Sequence, residues 1–277
     1  MIGLLLCLPA ALILGLGFVW PVLLLARISF NRTTDMGAME QAWTLDTYAK
    51  IVTDDFTWDL AWNTVTLSAG CAAAAVALAL PVTLLIRSAD PRWRGLLALL
   101  AVAPLLVSGT ARVVGWMAIL GDQGMINALL TGLGIASDPV RLINNLTGVR
   151  IGLTESLMPY CCLVLIAGLS RLDSRLEEAA ATLGATRSRT FLRVTLPLAA
   201  PALLAAFLLA FVLGVSAFVT PRLMGGGRVF VVATEIFDMA LETVDWPAAA
   251  ALAMLLLGAL VLAMVLRGVT AGREAPR

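Results

Sequence analysis

The sequence predicts an all-α integral membrane protein with six transmembrane helices, on three observations. Hydrophobic residues make up 60% of the 277 and charged residues only 13%, against roughly one-quarter charged in a soluble domain. The apolar residues gather into runs long enough to cross a hydrocarbon core of about 30 Å, which takes about 20 helical residues. Between these runs, every second connection is rich in arginine, the bias that marks cytoplasmic loops.

The first run, Ile2 to Ala26, contains Pro9 and Pro21. It is too long for the core of a signal peptide and has no basic region before it, so it reads as a first span. Asn31 to Asp59 is polar and carries Asp35, Glu40, Asp46, Asp54, Asp55 and Asp59 against Arg32 and Lys50, an acidic loop expected outside. The second span covers about Leu60 to Ile86, and the loop after it holds Arg87, Arg92 and Arg94 against Asp90, which places it inside. A third span is expected over Leu96 to Leu120, with Pro104 and Arg112 within it. Turn formers such as Gly132, Gly134, Pro139 and Asn144 with Asn145 make 121–148 an external loop.

Val149 to Leu169 is the fourth span and contains Glu155 and Pro159; Leu198 to Val219 is the fifth. An external segment from Thr220 to Asp245 includes Gly225, Gly226 and Gly227, and Trp246 to Leu266 is the sixth span, ending among Arg267, Arg273 and Arg277. Six spans put both termini in the cytoplasm. No linker or repeat divides 1–277, which reads as one transmembrane domain.

Composition removes several chemistries. There is no histidine and the only lysine is Lys50, so histidine acid–base or metal chemistry and a Walker A lysine are excluded. If ATP drives this chain, another subunit binds it. Net charge +1 without a basic block gives no nucleic-acid partner. Cys7, Cys71, Cys161 and Cys162 lie in apolar runs without metal or redox spacing and read as buried small hydrophobes. No catalytic residue, cofactor or metal site is indicated.

The long polar segment between the fourth and fifth spans has structure of its own. Ser174 and Glu177 have capping-box spacing, Glu177 to Leu183 favours helix, and Gly184 stands where a left-handed cap is wanted. Thr186 can cap a second helix that turns Phe191 and Val194 one way and Arg187, Arg189 and Arg193 to solvent; Pro197 suits the first turn of the next span.

Glu178-Ala179-Ala180, Gly184 and Val194-Thr195-Leu196-Pro197 resemble, in sequence and spacing, the EAA loop of permease subunits of bacterial ABC importers. Val194 stands where isoleucine is usual. The resemblance extends along nearly the whole chain and is closest to permeases of the spermidine/putrescine type. It is carried by Trp43-Thr44-Leu45-Asp46-Thr47-Tyr48, Asn63-Thr64, Pro104, Arg112, Trp116, Leu120-Gly121, Gly124, Asn127, Ile151-Gly152-Leu153, Met158-Pro159-Tyr160, Thr220-Pro221, Leu223, Met224-Gly225-Gly226 and Asp245-Trp246-Pro247. Glu155 departs from the pattern, where an aromatic or apolar residue is usual.

The resemblance implies a type I ABC importer permease (MetI-like) fold in the bacterial inner membrane. It also implies no enzyme activity, and three kinds of partner: an ABC ATPase dimer, a second permease subunit, and an extracytoplasmic solute-binding protein. It makes 170–197 the coupling loop, with Glu178, Ala179, Ala180, Gly184, Leu196 and Pro197 as its ATPase-coupling residues, and a polyamine the expected solute. Arg112, Glu155 and Trp116 are candidates for the substrate path. Arg112 lies eight residues before the outer end of its span and Glu155 six after the outer start of its own; at about 1.5 Å per residue they reach matching depth and can pair. The acidic first loop and Gly225 to Gly227 are expected to meet the binding protein. The rival readings are a stand-alone carrier or channel using Arg112 and Glu155 as an ion site, and a permease for another small solute. An intramembrane hydrolase is disfavoured by the missing histidine.

Overall fold

Apolar helices built from these runs carry the described chain, residues 9, 12–34, 39–173 and 175–274 of a computed structural model. Five helical segments among the described residues are long and apolar enough to cross a membrane: Asp55–Ser88, Gly109–Gly132, which a turn at 121–124 divides, Leu146–Leu169, Arg187–Val215 and Trp246–Val265; Leu12–Ile28 is a shorter apolar helix. In chain order the elements are α1 (Leu12–Ile28), a hairpin of β1 (Arg32–Thr33) and β2 (Met39–Glu40), α2 (Asp46–Thr53) and α3 (Asp55–Ser88). Then come α4 (Pro91–Val102), α5 (Gly109–Leu120), α6 (Met125–Gly132), α7 (Leu146–Leu169), α8 (Arg175–Thr182), α9 (Arg187–Val215), α10 (Val219–Met224), α11 (Val232–Leu241) and α12 (Trp246–Glu274).

Local chemistry explains the boundaries. The Asp90 carboxylate accepts from the Arg92 N–H ahead of Pro91, starting α4, and the Asn145 side chain accepts from the Gly148 N–H to start α7. Pro21 and Pro197 each follow a π-turn, Gly15–Val19 and Phe191–Thr195, by two residues. A proline leaves the carbonyl four residues back without a donor and crowds it, and a widened turn accommodates that.

The third span is not the single helix expected over Leu96–Leu120. Pro104 interrupts the ladder: α4 gives way to a 3₁₀ turn, Ala103–Leu106, then to extended backbone at Val107 and Ser108 before α5 begins. Two segments read as loops contain helices, α6 within 121–148 and α11 within 220–245, the latter preceded by α10, which starts at Val219, the expected last residue of the fifth span.

The contacts divide the chain into two compact units, 1–62 with 231–277, and 63–230. In the first, α12 packs on α1, α2 and α11 around Ile51, Leu60, Val232, Ala251 and Leu252. The Thr33 hydroxyl donates to the Asp245 carboxylate at 2.6 Å, which fixes the hairpin to the start of α12. In the second, α7 is central and packs against α4, α9 and α10. Small residues allow these close approaches: a Cβ on Gly168 would strike Ala202, one on Gly214 would crowd Ser68, and one on Gly152 would strike the Met224 sulfur. Cys71, Cys161 and Cys162 are buried as expected; Cys7 lies outside the described residues.

Candidate functional site

The segment 170–197 is organised by one turn. The Asp173 carboxylate accepts from the Arg175 N–H at 2.9 Å and starts α8. Ser174, expected in that role, lies outside the described residues. At the other end Gly184 has φ +81°, its N–H reaches the Ala181 carbonyl at 2.9 Å, and the Ala185 N–H reaches the Ala180 carbonyl at 3.0 Å. This pair of bonds is the Schellman arrangement, which needs a left-handed residue where Gly184 sits. Thr186 then has the extended backbone of a cap, but its hydroxyl makes no capping bond. The second short helix is continuous with the fifth span, since α9 runs unbroken through Leu196 and Pro197. Phe191 and Val194 are half-buried, and Arg187, Arg189 and Arg193 are exposed.

The surface α8 presents to water carries Arg175 at its start and Glu178 among small or apolar residues. Glu178 and Ala179 are exposed, Ala180 is half-buried, and Leu183 at the turn is 88% exposed. Glu177 points elsewhere. Its Oε1 accepts from Arg87 Nη1 at 2.9 Å and from the Thr195 hydroxyl at 2.7 Å, joining α8 to the end of α3 and to the π-turn within α9. Capping-box spacing concealed this role. The signal available was a second acid beside Glu178, about 100° round the helix and therefore on another face.

Arg112 on α5 and Glu155 on α7 meet at 3.4 Å, with side chains 14% and 25% exposed. Because α7 begins at Leu146, Glu155 is nine residues from its start, about 13.5 Å deep against about 12 Å for Arg112. Arg112 Nε and Glu155 Oε2 are buried without a hydrogen-bond partner. The pair therefore holds unused donor and acceptor capacity inside the membrane-spanning part. Trp116 is half-buried one turn further along α5.

Several other residues of the sequence pattern prove to be fastenings. Asn127 is buried, and its amide donates to the Gly121 and Val140 carbonyls, both at 3.0 Å, while its oxygen accepts from the Val140 N–H at 2.8 Å. This pins 121–140. Gly226, at φ +56°, lies against the Asn144 side chain. In the first unit, Arg27 stacks 4.2 Å over Trp43 and donates to Asn31 at 2.6 Å, and Ser29 and Tyr48 share a hydrogen bond of 2.6 Å.

Residues 96–272 match the family described as the inner membrane component of binding-protein-dependent transport systems. The chain belongs to this family. It is a multi-pass permease subunit of an ABC importer, a transport component and not an enzyme. It is 30% identical over 227 residues to the spermidine/putrescine transport system permease protein PotB of Haemophilus influenzae, covering 82% of this chain and 79% of that one. It is 28% identical over 231 residues to PotB of Escherichia coli, covering 83% and 84%. A crystal structure of a bacterial ABC transporter involved in import of the acidic polysaccharide alginate has a similar chain, with TM-score 0.76 over 99% of this chain and 96% of that one. At 17% identity that likeness concerns the fold alone.

Proposed function

We propose that this permease forms the membrane path for a polyamine such as spermidine or putrescine and couples it to a separate ATP-binding subunit through 170–197. The observation that carries the solute assignment is the similarity to PotB along four-fifths of the chain. Glu155 supports it: a carboxylate with one buried, unsatisfied oxygen is a partner for a desolvated ammonium group. A cation arriving there takes the oxygen that Arg112 leaves free, and Trp116 supplies an aromatic face one turn away.

Coupling rests on the exposed Glu178, Ala179 and Leu183 surface and the Gly184 turn. Small side chains allow α8 to approach a groove closely, and Glu178 offers charge to a partner cation. Two copies of the ATPase close on ATP, draw the coupling segments of this chain and a second permease together, and open the path outward; hydrolysis reverses the movement. The ATP stays on the partner. Both chain termini are cytoplasmic, and an extracytoplasmic binding protein delivers solute to the acidic first loop and to 225–227.

The test is uptake of labelled putrescine, spermidine and a neutral solute into proteoliposomes, with and without the ATPase, second permease and binding protein. Saturable polyamine uptake that requires internal ATP is expected. Uptake by the chain alone would convert the reading to a carrier, and ATP-dependent uptake of the neutral solute only would overturn the polyamine assignment. Crosslinks from Asp54 and from Arg228 to the binding protein are expected in the same preparation.

A further inference from the structure

We infer that Glu177 is a positioning residue that ties the coupling helix α8 to the second and fifth spans, so that movement of α8 is passed to both together. The inference deepens the coupling role proposed above and rests on it.

Helix α8 has eight residues and buries none of them. A helix that short is marginal in water, and little apolar surface holds it in place. A cleft of about 540 Å³, lined in part by Leu84, Arg87, Ala181, Ala185 and Phe191, opens beside it. The close connection across that opening is polar. The single oxygen Oε1 of Glu177 receives Arg87 from the end of α3 and Thr195 from α9, residues 90 and 18 positions away in sequence.

Each partner is itself held. Arg94 Nη2 donates to the Arg87 carbonyl at 2.9 Å and to the Ala89 carbonyl at 3.3 Å, fixing the turn after α3. Thr195 is 5% exposed and closes the π-turn that Pro197 requires, so its hydroxyl is aimed by the backbone. Glu178, the neighbouring acid, faces water. The two carboxylates thus divide the work: Glu178 looks outward to a partner, and Glu177 holds the helix to its own spans.

Two measurements test this on the full chain in its purified complex. First, a nitroxide on Leu183→Cys, with the four native cysteines replaced by alanine, should become more mobile on adding Glu177→Gln or Thr195→Val. Unchanged mobility overturns the tie whether or not an ATPase binds. Second, Glu177→Gln and Arg87→Gln should keep ATPase co-purification and hydrolysis but lower uptake per ATP about tenfold, the upper range for residues that relay coupling. The exchange Glu177→Arg with Arg87→Glu should recover a large part of it. Wild-type uptake per ATP in the single variants overturns the inference, as does loss of ATPase association, which would make Glu177 a docking residue. Failure of the wild-type chain to bind any ATPase would instead remove the coupling role and leave the mobility result standing.

Discussion

Two ion pairs among the described residues of the second unit, Arg87 with Glu177 and Arg112 with Glu155, use the same groups in opposite ways. Where α8 meets the end of α3 the pair is 2.9 Å long and shares its acceptor with the Thr195 hydroxyl. Within the spans it is 3.4 Å long and leaves one nitrogen and one oxygen buried without partners. The first pair is the more open to water, its side chains 20% and 35% exposed against 14% and 25%, and the more a pair is solvated the closer its net contribution comes to the roughly 1 kcal/mol or less of a surface pair. Buried groups left unsatisfied are costly, and they persist where function uses the spare capacity. The contrast separates a fastening from the solute site proposed above.

The sharpest way to break that contrast is to unpair the inner charges. Arg112→Gln leaves Glu155 alone in the membrane, at a cost of about 2.5 to 3.5 kcal/mol on insertion scales, and should reduce the yield of folded protein by gel filtration. The double variant with Glu155→Gln should restore it. In that folded double variant polyamine uptake should still be lost; uptake at the wild-type rate would reduce the pair to a static bond between α5 and α7.

Next in size is Gly184→Val. Nothing lies within 4 Å of the added Cβ, so the whole effect comes from φ +81°, a conformation costing ordinary residues about 1 to 2 kcal/mol. The chain should insert normally and lose uptake as the turn opens, whereas Gly184→Asn should retain part of it, since asparagine tolerates that region. Equal uptake by the two variants would show that the turn does not govern α8.

What was legible in the sequence follows from these differences. Spans declare themselves by hydropathy because lipid demands continuous apolar surface, and the Gly184 turn by a residue type that backbone geometry demands. The depth match of Arg112 and Glu155 could be counted along two helices. The break after Pro104 was not legible, because a proline within a span kinks, ends or is absorbed by the helix according to its neighbours. Helix α6 was hidden by the glycines and asparagines around it, although Asn127 within it pins 121–140 through three hydrogen bonds. The Glu177 tie was invisible because its partners lie 90 and 18 residues away, and spacing informs only about local neighbours.

A third carboxylate extends the comparison at the smallest scale. Glu177 and Glu155 each face an arginine, whereas Glu235 on α11 in the first unit is pushed above its ordinary value of 4.5 by burial first, then by the like charges of Asp238 and Asp54. Between the ordinary value and the raised one, the folded state holds the proton more firmly than the unfolded state. Stability therefore falls as pH rises through that window, and the loss persists above it. Glu235→Gln removes the charge that burial and the two aspartates oppose. The variant should melt higher than the wild type at pH 7, and the gap should narrow as pH falls through 4.5 and close at about pH 3, where the wild-type carboxyl is protonated in both states. Thermal unfolding of the detergent-solubilised chain across this pH range measures it. Glu177→Gln, which loses a favourable partner, should shift melting in the opposite direction at pH 7, and a stabilising shift there would contradict the role assigned to Arg87.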